Sequence, residues 1–582
     1  MSTNTELSRI FSEMAAVLEI TGDNVFRVNA HNKVARILKD LTVDVGSLAD
    51  DKSKLTAIDG IGEGTASRII EYVQTGRVKD HDELVANLPP GLVQLLNIPG
   101  VGPKTVKMLW EKAGVTDLES LRSKLQSGEL QGMPKMGDKT LQNINAALEF
   151  VSKASERERL GDALPLAENI IEFLRQVKGV KQLEYAGSLR RGKETVGDID
   201  LIASASDPSA LTHAFRSMAM IDKVLASGES KTSVRLADGM QIDLRIVPDS
   251  SFGAALLYFT GSKAHNVELR ERAQKKKQRL NEYGLFPDDG KQAPPQERGV
   301  KPIASKTEES IYKAFGLPWI PPEIREDAGE FDLKKTPRLI EIDDIKAELH
   351  AHTVASDGRL TIAQLVAEAK SRGYHTIAIT DNSKSSVQAN GLSPDRLRKH
   401  IDAVREVAAN TKGINVLAGS EVDILIDGSL DYEDKLLEQL DIVIASPHAS
   451  LRQAADVATK RLVRAASHPL VNIIGHPTGR MINKREGLPL DIHKLIDAAV
   501  EHNTALEINA NPWRLDLRDV HVRAAVEAGA LIAIDTDAHG AGDFDLLRYG
   551  VMTARRGWLL PQMCINTWTK AKLMKWLRKG RD

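Results

Sequence analysis

Cysteine is almost absent from this chain of 582 residues, which contains Cys564 and no other. A single thiol excludes internal disulfide bonds and any metal site built from several cysteines, and it fits a reducing compartment. Apolar runs of the ~18 residues that a membrane-spanning helix needs are also missing, and the opening MSTNTELSRI has no signal-peptide core. We therefore expect a cytoplasmic protein without a membrane partner.

An excess of charge of one sign is missing as well. The chain has 78 Lys and Arg residues against 80 Asp and Glu residues, so its formal net charge is −2. A near-neutral total does not exclude nucleic-acid binding by one basic region, and residues 261–280 are far richer in basic than in acidic residues. The length exceeds what one core can serve and suggests roughly three to five domains.

Two chemically different parts are visible along the chain. The first runs to about residue 318, and the second begins near residue 346 and holds most of the histidines. Between them lies GLPWIPPEIREDAGEFDL, where Pro318, Pro321 and Pro322 prevent a continuous helix. We interpret residues 319–345 as a linker.

A turn followed by an apolar-periodic helix recurs in the first part. The copies are AIDGIGEGTASRI from Ala57, NIPGVGPKTVKML from Asn97 and a degenerate GMPKMGDKTLQNI from Gly132. Paired glycines before a helix let backbone N–H groups approach a DNA phosphate, although a plain glycine-rich turn is the alternative. Repetition favours DNA binding. The candidate residues are Gly60, Gly62, Gly64, Gly100, Gly102 and Lys104.

Three carboxylates stand out in the first part. Asp198 and Asp200 flank Ile199, so on a strand both carboxylates face the same side. Asp243 lies in a second strand-like run, MQIDLRIV. Adjacent carboxylates repel each other unless a cation lies between them, and Mg²⁺ binds through one or two carboxylates together with substrate phosphates. A D-x-D pair alone is often structural, but this context favours nucleotidyl transfer.

The turn GSLRRG precedes the acidic pair. Gly187 admits the backbone, Ser188 offers a hydroxyl and Arg191 a positive charge, which suits a triphosphate. The motifs GS-x-RRG…GDID, IDLR and YFTGS-x-x-HN closely resemble the palm and thumb of family X DNA polymerases. The resemblance covers nearly the whole first part, including the hairpins, and implies a gap-filling repair polymerase that acts on gapped or primed DNA and deoxynucleoside triphosphates.

The resemblance also implies roles for individual residues. Asp198, Asp200 and Asp243 would hold two Mg²⁺ or Mn²⁺ ions, and Gly187, Ser188 and Arg191 would hold the β- and γ-phosphates. The implied contacts to the sugar, the nascent base pair and the template are Tyr258, Phe259, Gly261, Asn266 and Arg270, with a cis peptide bond at Gly261–Ser262. Relatives with 5′-deoxyribose-phosphate lyase activity use a lysine where this chain has Arg68. A guanidinium stays protonated and cannot form a Schiff base, so we expect phosphate binding there without lyase chemistry.

In the second part, short apolar runs such as HTIAIT and DIVIASPH alternate with helical stretches. This pattern predicts parallel βα units and a barrel, whose C-terminal strand ends carry the chemistry. Many runs end in imidazole or carboxylate residues, and mixed N and O ligands suit Zn²⁺, Mn²⁺ or Fe. The candidate ligands are His350, His352, Asp357, Glu421, His448, His476, Asp537 and His539.

This second pattern resembles the PHP domain of bacterial family X polymerases, as do HPTGRMINKREG and EINANPWRLDL. The resemblance implies a 3′–5′ exonuclease or another 3′-end phosphoesterase. Asn382 stands where the family pattern has a histidine ligand, and a neutral amide is a poorer ligand than imidazole. Two alternatives stay open: a metal-poor PHP module with a structural or DNA-binding role, and a non-polymerising nucleotidyltransferase fused to a small-molecule phosphatase.

The expected fold is multidomain, with α-helical helix–hairpin–helix domains, an α+β nucleotidyltransferase palm and thumb, and a C-terminal α/β PHP barrel of the distorted β/α type. The expected boundaries are 1–85 for an N-terminal DNA-binding domain, 86–160 for the fingers, 161–250 for the palm, 251–318 for the thumb, 319–345 for the linker and 346–582 for the PHP domain. We expect a nucleoid-associated monomer.

Overall fold

The structure is a computed structural model, and it divides into two compact units. It describes residues 3–40, 45–58, 60–86, 88–89, 91–98, 101–131, 133, 141, 144–145, 157–228 and 230–579. The first unit comprises Met1–Ser155 with Asn483–Arg485, and the second comprises Glu156–Ile482 with Glu486–Asp582. Each unit has hydrophobic cores of its own.

The described part of the first unit is helical. Its helices are α1 (Thr3–Thr21), α2 (Val25–Asp40), α3 (Lys52–Thr56), α4 (Glu63–Thr75), α5 (Lys79–Ala86), α6 (Pro103–Ala113) and α7 (Leu118–Gln126). Helix α1 buries Leu7, Phe11, Met14 and Leu18, which share one face because they are spaced three or four residues apart. Asp117 begins α7 by accepting a hydrogen bond from the Ser120 N–H. The three- and four-residue spacing of the apolar residues in α1 therefore predicts this helix.

The second unit opens with a region that contains a five-stranded sheet, a separate two-stranded sheet and three helices. Its elements are β1 (Glu158–Arg159), α8 (Leu160–Arg175), β2 (Val180–Tyr185), α9 (Gly187–Arg190), β3 (Thr195–Val196), β4 (Asp198–Ala205), α10 (Pro208–Arg216), β5 (Ile221–Ser227), β6 (Lys231–Leu236) and β7 (Gln241–Ile246). The strand order is β2-β4-β7-β6-β5. Strands β4 and β7 run parallel, and their register places Asp200 beside Asp243. This is the α+β palm that was predicted.

A smaller helical region follows the palm. It contains α11 (Phe252–Thr260), α12 (Lys263–Lys275), β8 (Gln278–Asn281), β9 (Gly284–Pro287) and α13 (Glu308–Phe315). Ile320, Ile324 and Phe331, from the segment interpreted as a linker, are buried in the same core. The Arg325 guanidinium is fully buried and donates to both carboxylate oxygens of Glu308 at 2.7 and 3.1 Å. The segment after residue 318 therefore packs against the thumb.

The last part of the chain forms a parallel barrel. Its strands are β10 (Ala347–Glu348), β11 (Thr376–Ile379), β12 (Asn415–Asp423), β13 (Ile442–Ser446), β14 (Ile473–Ile474), β15 (Ala505–Asn509) and β16 (Ile532–Asp535), paired in that order. The helices are α14 (Ile362–Ser371), α15 (Pro394–Asn410), α16 (Asp434–Leu437), α17 (Ala455–Ala466), α18 (Ile492–Glu501), α19 (Asp519–Ala528), α20 (Leu547–Arg556) and α21 (Lys570–Leu577). A parallel bridge between Ala351 and Ala538 brings the first and last strands together, so the sheet nearly closes.

The palm and the barrel contact each other within the second unit. Glu194 of the palm pairs with Arg480 at 2.7 Å and Arg518 at 3.1 Å, both from the barrel. Arg548 of α20 pairs with Glu168 of α8 at 2.8 Å. These ion pairs connect the barrel to the palm. Among the described helices, none is both long and apolar enough to cross a membrane.

The buried carboxylate of Glu308 is expected to be a main stabiliser of the thumb. It accepts hydrogen bonds from Arg190 and Arg325, and its replacement leaves two poorly solvated guanidinium groups without a counter-charge. Glu308→Gln should lower the free energy of unfolding by about 3 kcal/mol. Urea unfolding followed by tryptophan fluorescence measures this change. The neighbouring Glu309 is exposed, so Glu309→Gln is the control, and equal stability of the two variants would contradict the prediction.

Candidate active sites

The three predicted carboxylates of the palm lie together on two adjacent parallel strands. Asp198 and Asp200 are on β4, separated by the buried Ile199, and Asp243 is the direct neighbour of Asp200 on β7. Asp198 is exposed, Asp200 is half-buried and Asp243 is buried. The period-two alternation of the strand explains why both β4 carboxylates face the same side.

The electrostatics of this group are uneven. Burial raises the pKa of Asp200 to about 6, and the charges of Asp198 and Asp243 act in the same direction. Burial also opposes ionisation of Asp243, but hydrogen bonds from partners including Lys231 and Gln241 lower its pKa. The Lys231 ammonium lies 2.5 Å from the Asp243 carboxylate. Sequence reasoning missed Lys231, because a lone lysine at the start of a strand carries no signal of its own.

The turn before the acidic strand is close to the carboxylates. Gly187 has a φ of +62°, and a Cβ at this position would lie 2.8 Å from a carboxylate oxygen of Asp200. Only glycine fits both constraints. Ser188 lies in the same short helix, and the Arg191 that follows is largely buried. The Arg191 guanidinium donates to Glu326 at 3.1 Å and to the carbonyl oxygen of Thr260.

The residues expected to contact the nucleotide lie around the end of α11. Asn266 donates from its amide to the Tyr258 carbonyl at 2.7 Å, and both residues line a small cavity with Arg270 and Asn281. Asn281 was not predicted. The Gly261–Ser262 peptide bond is cis, as the resemblance predicted.

Phe259 faces a different neighbour from Tyr258. The Arg245 guanidinium lies over the Phe259 ring, with the guanidinium carbon 4.1 Å from the ring centroid. The Phe259 ring also meets the Tyr258 ring edge-on. Arg245 belongs to β7, two residues beyond Asp243. The aromatic pair is thus in contact with the strand that carries a catalytic candidate.

The described parts of the first two hairpins place glycines before helices. Gly62 and Gly102 are the residues immediately before α4 and α6, and Gly60 has a left-handed φ of +83°. Gly64 lies in the first turn of α4, and Lys104 in the first turn of α6. Because α6 begins with Pro103, which has no N–H, its first backbone donor is that of Lys104, next to the turn where an anion could bind. Gly100 and most of the third copy lie outside the described residues.

Arg68 lies on α4, where relatives with lyase activity carry a lysine. Its guanidinium donates to Asp80 at 2.8 Å, and its side chain is partly exposed. The Gly64 position is open beside it, since a Cβ there would approach the guanidinium only to 3.4 Å. The arginine is therefore held in place near a glycine turn.

All eight predicted ligands of the barrel come together at the C-terminal strand ends. They form three groups, each with its ligand atoms within 4.8 Å of one another, and the first two share His352: His350, His352 and Asp537; His352, Asp357 and His539; Glu421, His448 and His476. His476 and Asp537 adopt left-handed backbone conformations, with φ of +25° and +53°. Non-glycine residues in such conformations concentrate at functional sites.

Several atoms of this cluster are suited to a cation. Nε2 of His350 and Nε2 of His352 are buried and lie 3.6 and 3.0 Å from the buried Oδ1 of Asp537, yet none of the three atoms makes a well-aligned hydrogen bond among the described residues. Buried polar atoms are almost always paired, so converging unpaired donors of this kind fit a metal. The charges of Glu421 and Asp423 outweigh burial and raise the pKa of His448 to about 10.

Two carboxylates that sequence reasoning missed orient the histidines. Glu507 accepts from Nδ1 of His350 at 2.6 Å, and Asp423 accepts from Nδ1 of His448 at 3.1 Å. Such partners fix the tautomer and direction of a ligating imidazole. Glu507 lies in the middle of a strand-like run, ALEIN, which is the one signal that could have identified it.

Comparisons with known proteins agree with this geometry. Family models match the helix-hairpin-helix domain at 2–78, the SAM-like helix-hairpin-helix tandem at 92–149, the DNA polymerase beta thumb at 255–326 and the PHP domain at 348–511. The DNA polymerase/3′-5′ exonuclease PolX of Bacillus subtilis is 38% identical over 564 residues, covering 96% of this chain and 97% of the relative. The chain belongs to the PHP-containing family X DNA polymerases.

Two further relatives each match part of this chain. DNA polymerase lambda of Rattus norvegicus is 26% identical over 349 residues, which is 56% of each protein. The probable phosphatase YcdX of Escherichia coli is 32% identical over 211 residues, which is 34% of this chain and 81% of the relative. The first of these relatives is named a polymerase, and the second is named a probable phosphatase.

Asn382 lies inside the metal-ligand cluster of the barrel. Its amide nitrogen is 3.1 Å from Oδ1 of Asp357 and 3.1 Å from Nδ1 of His352, and the residue is buried. An imidazole in this place would offer a nitrogen to the group of His352, Asp357 and His539. We therefore predict weaker metal binding at this group than at the other two.

Acid should inhibit the palm site when metal is scarce. The pKa of Asp200 is raised to about 6, so its ligating form is lost as pH falls through that value. Primer extension at limiting Mg²⁺ should fall steeply between about pH 7 and 5, and excess Mg²⁺ should restore it because metal and proton compete. Steady-state extension rates over a pH and Mg²⁺ grid measure this. A rate at limiting Mg²⁺ that is flat across the range would contradict it.

Restoring an imidazole at position 382 should strengthen the barrel cluster. Asn382→His adds a nitrogen donor beside Asp357 and His352, so the affinity for Mn²⁺ or Zn²⁺ should rise by about tenfold. Calorimetric titration of the metal-free protein, together with metal content after dialysis, measures the change. Asn410→His, at an exposed helix end, is the matched control. Equal metal content in the two variants would show that position 382 does not contribute to the site.

Proposed function

We propose that this chain is a DNA-directed DNA polymerase that fills short gaps during DNA repair, and that its PHP domain hydrolyses 3′ ends as a 3′–5′ exonuclease or phosphoesterase. The observation that carries the proposal is the alignment of Asp198, Asp200 and Asp243 on two adjacent parallel strands beneath a glycine turn. The DNA polymerase/3′-5′ exonuclease of Bacillus subtilis, similar over nearly its whole length, supports both activities.

In the palm, the three carboxylates would hold two Mg²⁺ or Mn²⁺ ions. Bound there, the ions would supply activation of the primer 3′-hydroxyl and neutralisation of the triphosphate. Asp243 would be the carboxylate nearest the attacking hydroxyl. Gly187, Ser188 and Arg191 would bind the β- and γ-phosphates, since the turn leaves no room for a side chain beside Asp200.

The region after the palm would recognise the nucleotide and template. Tyr258 and Phe259 would border the sugar, and their rings already meet edge-on. Gly261 would allow close approach of the backbone. Asn266 and Arg270, which line the same small cavity, would contact the minor-groove edge of the new base pair and its template.

In the barrel, the eight residues of the cluster would hold Zn²⁺, Mn²⁺ or Fe. Such ions would supply water activation and charge stabilisation at the phosphate. Glu507 keeps the proton of His350 on Nδ1, so that Nε2 is available as a ligand. The named exonuclease activity of the Bacillus relative argues against a purely structural PHP domain.

The hairpins would bind the DNA backbone at Gly60, Gly62 and Gly64, and again at Gly100, Gly102 and Lys104. Arg68 would bind a 5′-phosphate without lyase chemistry, because a guanidinium cannot form a Schiff base. We further propose the domain boundaries given above, a monomeric state and a cytoplasmic, nucleoid-associated location, where the DNA substrate resides.

A gapped duplex tests the two activities in one experiment. With nucleotides, the wild type should extend the primer, and without them it should shorten it. Asp200→Ala should reduce extension by roughly 100-fold or more, because charge shared by both ions is lost, while shortening persists. His350→Ala should instead reduce primer shortening, while extension persists. Product lengths on denaturing gels in Mg²⁺ and in Mn²⁺ provide the measurement.

Two outcomes would contradict the proposal. Near-normal extension by Asp200→Ala would remove the palm carboxylates from catalysis. Equal shortening by the wild type and His350→Ala would remove the nuclease from the barrel. Asp207→Ala, at an exposed position in the same palm, is the control for unspecific damage.

A further inference from the structure

An arginine side chain of the barrel domain contacts the end of the turn that carries Arg191. Arg556 ends α20, and its side chain is only 4% exposed. Its guanidinium donates to the Arg191 carbonyl at 2.7 Å, to Glu326 at 3.1 Å, to the Glu323 carbonyl at 3.2 Å and to Asp519 at 2.8 Å. Asp519 belongs to the barrel, whereas the other partners belong to the palm and the segment after the thumb. One buried side chain thus connects three parts of the chain.

The Glu326 carboxylate is shared between two arginines. The same oxygen accepts from Nε of Arg191 and from Nη2 of Arg556, each at 3.1 Å. Although burial opposes it, the charges of Arg191 and Arg556 lower the pKa of Glu326. The carboxylate is therefore an ionised bridge between the phosphate-binding arginine and the barrel.

The backbone of the phosphate-binding turn is fixed from the same side. Arg191 ends that turn, and its carbonyl is the one bound by Arg556. The next residue, Gly192, packs against α20, since a Cβ there would lie 3.2 Å from Met552. The Arg191 guanidinium meanwhile binds the Thr260 carbonyl, at the end of α11. Hydrogen bonds and close packing therefore join the barrel helix α20, the turn and the end of α11.

We propose that Arg556 of the PHP domain is a positioning residue for nucleotide addition in the palm. It holds the Arg191 carbonyl and the Glu326 carboxylate, and so sets where Arg191 meets the incoming triphosphate. Misplacement of a binding group by about 1 Å is enough to cost up to 100-fold in rate. The inference rests on the proposed polymerase function and assigns the barrel a part in it that does not depend on the barrel's own metal cluster.

The test is Arg556→Gln, measured by steady-state single-nucleotide incorporation on a gapped duplex. The KM for the deoxynucleoside triphosphate should rise by about tenfold or more, because Arg191 is displaced, while the KM for the gapped DNA stays the same. Shortening of a 3′ end by the barrel, measured without nucleotides, should also be unchanged. Loss of extension in the wild type itself would instead count against the proposed polymerase function.

Arg548→Gln is the matched control. Arg548 lies on the same helix and also pairs with the palm, through Glu168, but away from Arg191. The Arg548→Gln substitution should leave the nucleotide KM unchanged. The inference is overturned if Arg556→Gln has a wild-type nucleotide KM, or if Arg548→Gln raises that KM equally, since the effect would then come from general loosening of the two domains.

A double variant tests whether Arg556 acts through Arg191. In an Arg191→Gln background, Arg556→Gln should change the nucleotide KM by less than about twofold, because the group that it positions is gone. The inference is overturned if the two substitutions raise the nucleotide KM by factors that multiply. If Arg556→Gln also loses 3′-end shortening and is therefore misfolded, Arg556→Lys decides in its place. It keeps the charge but cannot form the forked set of hydrogen bonds, so the same rise in nucleotide KM is expected.

Discussion

The removal of carboxylates from water is the constraint on which both candidate sites depend. In the palm, burial raises the pKa of Asp200, and the charges of Asp198 and Asp243 raise it further. In the barrel, Glu421 and Asp537 are buried among histidines that point nitrogen atoms at them. Both groups need a surrounding structure that is stable enough to hold ionisable side chains out of water.

The surrounding structure meets this need in different ways at the two sites. The palm uses a parallel pair of strands, whose register is fixed by apolar neighbours such as Ile199 and Ile242. The barrel uses a ring of strand ends and an outer layer of acceptors, of which Glu507 and Asp423 are examples. Backbone hydrogen bonds therefore set the spacing of the palm carboxylates, while side-chain hydrogen bonds aim the histidines.

Much of this was predictable from the sequence, and the reasons are local. Strand alternation places Asp198 and Asp200 on one face, and strand ends in a parallel barrel must meet at one rim, so the sequence alone predicts that the eight candidate ligands lie together. Lys231 and Asn281 escaped because their roles depend on which strands are neighbours, and periodicity within one strand contains no such information. The buried Arg325 was hidden for a similar reason, since the proline-rich segment around it reads as a linker until its partner Glu308 is known.

The salt bridges that bind the palm to the barrel have a consequence for the substrate. Glu194 with Arg480 and Arg518, and Glu168 with Arg548, join two catalytic centres into one compact unit. Under the proposed function, a 3′ terminus that leaves the palm would have to unpair from its template and cross the protein surface before the barrel could trim it. The rate of trimming would then depend on how readily the terminal base pairs melt.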